Sequence, residues 1–252
     1  MAISLRAEDI FHVGNFPVTN SVLLALVAFV VLVVFAIILR HGLKMVPGRI
    51  QNIVEVIVDG ALGLMDSVLG DRRKSEQYLP VVLTVFLFVL CSNWLGLLPG
   101  VGSLTMQTAS GTVPLLRSPA ADLNFTLALA LIAVTFANAL GVAAVGLKGR
   151  LKTFFNFSNP IAFFVGILEL ISEFAKIISF SFRLFGNVFA GEVLLTIMAF
   201  LLPYLAPLPF MFLEIFVGFI QAFIFGMLTL VFISMAISEE HGEQAEPEKA
   251  AI

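Results

Sequence analysis

The stretch PIAFFVGILELISEFAKIISFSFRLFGNVFAGEVLLTIMAFLL, residues 160–202, decides the fold. It is apolar almost throughout, and as one helix it would measure about 63 Å at 1.5 Å per residue. After the interruption at Pro203, Pro207 and Pro209 the apolar run resumes over residues 208–238, about 45 Å as a helix. The hydrocarbon core of a bilayer is about 30 Å thick, and a 40° tilt consumes only about 39 Å. Either these helices break, near Gly186 or Gly191, or they form a long hairpin lying far over in the membrane. There are too few breakers for four short spans, so the sequence predicts the steeply tilted hairpin.

Working outward, the whole chain asks for lipid as its solvent. Of 252 residues 60% are hydrophobic and only 12% charged, with mean hydropathy +1.05; soluble domains are about 25% charged. The net charge of -3 argues against nucleic-acid binding. One cysteine, Cys91, excludes an internal disulfide and a cysteine metal site. His12, His41 and His241 are scattered, and no phosphate loop, dinucleotide glycine fingerprint or zinc-protease motif appears. No cofactor or metal is therefore expected.

The expected architecture is an all-α integral membrane protein forming a single membrane domain over residues 1–252. Residues 1–18 form a polar outer segment with no cleavable leader pattern. Residues 20–39 are a first span. Residues 50–70, with Glu55, Asp59 and Asp66 among apolar residues at helical spacing, are an amphipathic surface helix. Residues 79–98 and 123–147 are two further spans, with Trp94 an interface anchor and a Gly/Ser/Thr/Pro-rich loop between them. Residues 160–202 and 208–238 are the hairpin, and 239–252 an acidic tail. Arg40, Lys44, Arg49, Arg72, Arg73, Lys74, Lys148, Arg150, Lys152 and Lys249 gather on one side; the other keeps only Arg6 and Arg117. The first side is then cytoplasmic. Five crossings put the N-terminus outside and the C-terminus inside.

The hairpin carries Glu169, Glu173, Lys176, Arg183, Glu192 and Glu214. Such groups cost several kcal/mol each in lipid and mark ion pathways or paired sites. Glu169, Glu173, Lys176, Phe180, Arg183 and Asn187 recur at steps of three and four, one helical stripe. Glu192 faces away from Arg183, and Glu214 shares a face with Gln221. One antiparallel register sets Arg183 level with Gln221 and Glu192 level with Glu214. Two carboxyls at one level in low dielectric do not both ionise cheaply, which makes a site for a moving proton. Blander readings stand beside these. Glu173 and Lys176 also read as an intramembrane ion pair, Glu192 and Glu214 as inert interface residues, and Asp122 as a helix N-cap beside Asn124.

The run Ser181-Phe182-Arg183-Leu184-Phe185-Gly186-Asn187, followed by Ala190-Gly191-Glu192, strongly resembles subunit a of F-type ATP synthases. Further similar motifs are Val46-Pro47-Gly48-Arg49-Ile50-Gln51, Pro119 to Thr126, Gln221-Ala222-Phe223-Ile224-Phe225 and Ser238-Glu239-Glu240-His241. The resemblance implies a stator subunit in the bacterial cytoplasmic (inner) membrane, not catalytic by itself. Its implied partners are a ring of c subunits, peripheral-stalk b subunits, the remaining synthase subunits and the lipid bilayer. Arg183 matches the family's essential arginine, with Asn187 and Gln221 as its polar neighbours. Glu192 and Glu214 match the outer access path, with Asp122 and Asn124 as weaker candidates, and Glu169 and Glu173 belong to the inner one. Some members carry a Glu/His pair where this chain has Glu192 and Glu214, so a histidine switch is not implied. The rival readings are a stand-alone secondary transporter, against which the lack of an internal repeat speaks, and a non-conducting scaffold, which leaves Arg183 unexplained.

Overall fold

A computed structural model describes residues 7–14, 16–98, 100–101, 104–108, 111–154, 159–203 and 205–249, with backbone alone over 147–154 and 238–249. Residues 1–6, Pro99, the basic side chains at 148, 150 and 152, and the side chains of the acidic tail lie outside the described residues. Six α-helices dominate: α1 (Asn20–Gly42), α2 (Arg49–Leu69), α3 (Arg72–Gly96), α4 (Leu123–Phe154), α5 (Pro160–Leu201) and α6 (Pro207–Lys249). Four segments are long and apolar enough to cross a bilayer: Asn20–Gly42, Arg72–Gly96, Leu123–Ala143 and Pro207–Ile237. The chain is a multi-pass membrane protein. α5 is not among those four segments; it runs unbroken past Gly186 and Gly191 while carrying the five ionisable residues from Glu169 to Glu192.

The fold is not purely helical. β1 (Asp9–Val13) pairs antiparallel with β2 (Phe16–Thr19), and β3 (Thr105–Thr108) with β4 (Gly111–Pro114). Both hairpins fall where the sequence suggested only an outer segment and a loop. Four-residue strands are too short to show a clear period-two pattern, and Thr and Val at 105, 108, 112 and 113 supply the β-branching that favours them. Gly14 enables the first turn, with φ at +64°.

Helix ends follow local chemistry. Thr19 caps α1 through its hydroxyl, which accepts from the Val22 N–H. Gly70, at φ +69°, ends α2 in the left-handed region, and Asp71 at once caps α3 by accepting from Arg73 N–H. The same turn is laced by Arg72, which reaches Asp66 at 2.9 Å and Glu76 at 3.2 Å. Gly146, at φ +82° and ψ 155°, kinks α4 beyond its apolar part.

The chain gathers into two compact units, Met1–Thr126 with Phe182–Gly226, and Leu127–Ser181 with Met227–Ile252. The first is organised around Leu24 and Ala28 of α1, Val82 and Val89 of α3, Leu184 of α5, and Ala222 and Phe225 of α6, all buried. Phe86 meets Phe219 edge-on at 6.1 Å. Asn93 and Trp94 close α3 onto α6 by donating to the carbonyls of Gly218 and Ile215 at 3.2 and 3.1 Å. In the second unit Ala130, Ala133 and Ala137 of α4 are buried, as are Leu230, Ile233 and Ala236 of α6. A Cβ added at Gly141 would stand 3.1 Å from that of Ala236, so glycine sets this approach. The outer apolar faces, such as Leu26, Val30, Val34 and Ile38 of α1, stay exposed, as a helix facing hydrocarbon should be.

Candidate functional site

Within the first unit, residues 182–201 and 207–226 lie antiparallel. Asn187 Nδ2 donates to Gln221 Oε1 at 2.8 Å. The sequence expectation set Gln221 level with Arg183, one turn earlier on α5, and a side-chain contact with Asn187 does not contradict it. Side chains lean toward the N-terminus of their own helix, so in an antiparallel pair two touching residues do not stand at the same height. Gln221 is buried, and its Nε2 has no hydrogen-bond partner among the described residues.

Arg183 is exposed, on the same face of α5 as exposed Phe182, Gly186, Asn187 and Ala190. It makes no hydrogen bond or ion pair among the described residues, and the space a Cβ at Gly186 would enter is open. A guanidinium, cationic by its chemistry, therefore sits on a helix face flanked by phenylalanine and small residues, with no counter-charge among the described residues.

Glu192 and Glu214 line one cavity of about 300 Å³, together with Asn93, Ser118, Thr196 and Gly218. They are not an isolated pair of like charges, as the sequence had suggested. Arg117, from the loop before α4, also lines this cavity and bonds Glu192 Oε2 through Nη2 at 3.2 Å and Nε at 3.3 Å. Sequence reasoning passed over Arg117. The available signal was a single arginine in a loop whose other charged residue is Asp122. Glu214 is 9% exposed and has no hydrogen-bond or ion-pair partner among the described residues. It packs so closely on Gly191 that a methyl group there would overlap its carboxylate.

Asp122 and Asn124 stand at the head of α4. Asp122 is buried; it accepts from Ser21 Oγ at 2.9 Å and from the Asn124 backbone N–H at 3.0 Å. The N-cap geometry is thus present, and Ser21 is a partner that sequence did not suggest. Asn124 itself is exposed.

The second unit holds the other charged group. Lys176 Nζ reaches Glu173 at 2.8 Å and Glu169 at 3.8 Å, and lies 5.8 Å from the centre of the Phe232 ring. Glu173 also accepts from Asn138 Nδ2 at 2.9 Å. These residues border a smaller recess with Val134, Ala137 and Met235. The ion pair of Glu173 with Lys176 is formed, and Asn138 is a further polar neighbour.

The chain matches, over residues 21–234, the family model described as ATP synthase A chain. Relatives named ATP synthase subunit a include one from Moorella thermoacetica, 30% identical over 230 residues, covering 91% of this chain and 96% of its own. One from Campylobacter jejuni is 33% identical over 235 residues, covering 92% and 91%. One from Syntrophobacter fumaroxidans is 36% identical over 232 residues, covering 90% and 88%.

Proposed function

The chain belongs to the ATP synthase A chain family, and from that premise we propose that it is the ion-translocating stator subunit of the synthase's membrane sector. It passes protons to and from a carboxylate on each subunit of a rotating c ring, and stands with peripheral-stalk b subunits in a bacterial inner membrane. α5 supplies the fifth crossing, as one arm of a steeply tilted hairpin, with the N-terminus outside and the C-terminus in the cytoplasm.

The observation that carries this reading is Arg183, exposed on α5 without a counter-charge among the described residues. An unmatched cation in hydrocarbon costs several kcal/mol, and a rotor carboxylate brought alongside removes that cost for both groups. Small residues at Gly186 and Ala190 let a partner helix come close. Because the guanidinium does not give up its proton, it blocks direct passage between two offset aqueous half-channels. Glu192 and Glu214 serve the outer one, with Asp122 and Asn124 near its mouth. Glu169 and Glu173 serve the inner one. A proton then crosses only by riding the ring, and each charge falling through 100 mV supplies about 2.3 kcal/mol toward rotation.

Replacement of Arg183 by Ala tests this in the whole enzyme reconstituted in liposomes. The subunit should still co-purify with the ring, and proton-driven ATP synthesis should disappear. Coupled synthesis at the normal rate in that variant would refute the role.

A further inference from the structure

The cavity of the first unit has three ionisable side chains in its lining, Arg117, Glu192 and Glu214, and only two of them are matched to each other. Arg117 is 6% exposed and directs two guanidinium nitrogens at one oxygen of Glu192. A cation buried this deeply that never deprotonates needs its counter-charge beside it. Glu192 is therefore committed to Arg117. Glu214, in the same lining, has no hydrogen-bond or ion-pair partner among the described residues, and its carboxyl occupies the space that a side chain at Gly191 would fill.

We propose that Arg117 is a positioning residue of the outer path: it ties up Glu192 in an ion pair and leaves Glu214 as the carboxyl that exchanges protons. This rests on the stator function proposed above. A proton from outer water adds to a Glu214 oxygen and leaves from it to the rotor carboxylate, so Glu214 ends each cycle as it began. The Arg117–Glu192 pair keeps its charges throughout and fixes the wall against which Glu214 works.

The test uses the whole enzyme in liposomes, with passive proton flux and ATP-driven pumping followed against pH. Glu214→Gln should cut flux by about a hundred-fold, the scale of losing one acid–base group. Arg117→Gln should lower flux and displace its pH profile, because Glu192 is released into the cavity. Arg117→Lys should keep the wild-type profile. The double variant Arg117→Gln with Glu192→Gln removes both charges together and leaves Glu214 in place, so it should conduct at a reduced rate but well above that of Glu214→Gln.

A double variant as inactive as Glu214→Gln would overturn the proposal, since Glu192 would then be the carrier. So would Arg117→Gln with an unaltered profile. Should Arg117→Gln fail to assemble with the ring, the double variant decides alone: flux well above that of Glu214→Gln supports the proposal, and flux as low as that variant's defeats it. Failure of the parent reading would look different, because wild-type enzyme would then show no ring-dependent proton flux at all.

Discussion

Asn187 and Gln221 are joined by a 2.8 Å hydrogen bond between their side-chain amides, and this bond sets the register of α5 against α6 in the first unit. It also turns Asn187 toward α6 and leaves the guanidinium four residues earlier without a partner among the described residues. The polar contact between the helices is thus made one turn away from the cation. Arg183 stays available for a group outside the chain.

Breaking that amide pair should cost little stability and more function. Asn187→Ala removes one neutral hydrogen bond, worth about 1 kcal/mol, and leaves Gln221 buried without its donor. We expect a drop of a few degrees in the thermal midpoint of the purified membrane sector. Coupled ATP synthesis should fall several-fold, because the Arg183 face is no longer held. Equal loss in both measurements would point to a purely structural bond.

Two glycines five residues apart on α5 should behave in opposite ways. Gly191→Ala drives a methyl into the Glu214 carboxylate, a flexible group that swings aside at small steric cost. The subunit should assemble normally while the pH profile of proton flux shifts. Gly186→Leu meets nothing in the chain itself, so the subunit's own stability should be unchanged. Coupling should nonetheless be lost if the rotor docks there. Co-purification and flux measured together separate the two effects.

Glu173→Gln should destabilise more than the double change with Lys176→Gln. Both side chains are largely buried, at 13% and 19% exposure. Losing one partner should cost about 2 kcal/mol, between the values for exposed and fully buried pairs. The double change strands neither member of that pair, although Glu169, itself one-third exposed, loses Lys176 and Asn138 loses a strong acceptor. Denaturation of the three variants in mild detergent gives the ordering directly.

Asp122 is held by Ser21 from α1 and itself caps α4. Asp122→Ala should therefore lower stability by about 1 kcal/mol for the cap, with a further cost for the bond lost by the Ser21 hydroxyl, which keeps only Thr19. Asp122→Asn, which retains an acceptor, should be milder. If proton flux falls in the Asn variant as far as in the Ala variant, the carboxyl is on the path as well as in the cap.

The helices were legible because their signals are local. An apolar run between Pro160 and Leu201, with no proline inside, leaves the backbone little choice but helix. Gly70 next to Asp71 marks a stop and a start within two residues. What sequence did not yield depends on contacts between distant residues. Arg117 finds Glu192 across 75 positions, and no periodicity connects a loop residue to a helix that far away. Ser21 meets Asp122 across 101 positions in the same way. The bond between Asn187 and Gln221 was not foreseen for a geometric reason: equal height along two axes is not contact when side chains lean in opposite directions. The two short β-hairpins carried too few residues to show their alternation.

The cavity around Glu214 takes its wall from α3, from the loop bearing Arg117, from α5 and from α6. A growing chain thus acquires this chamber only once synthesis has passed Gly218. Until then Arg117 and Glu192 lack the wall that α6 supplies, and Glu214 is the last acidic side chain of the chamber to be made.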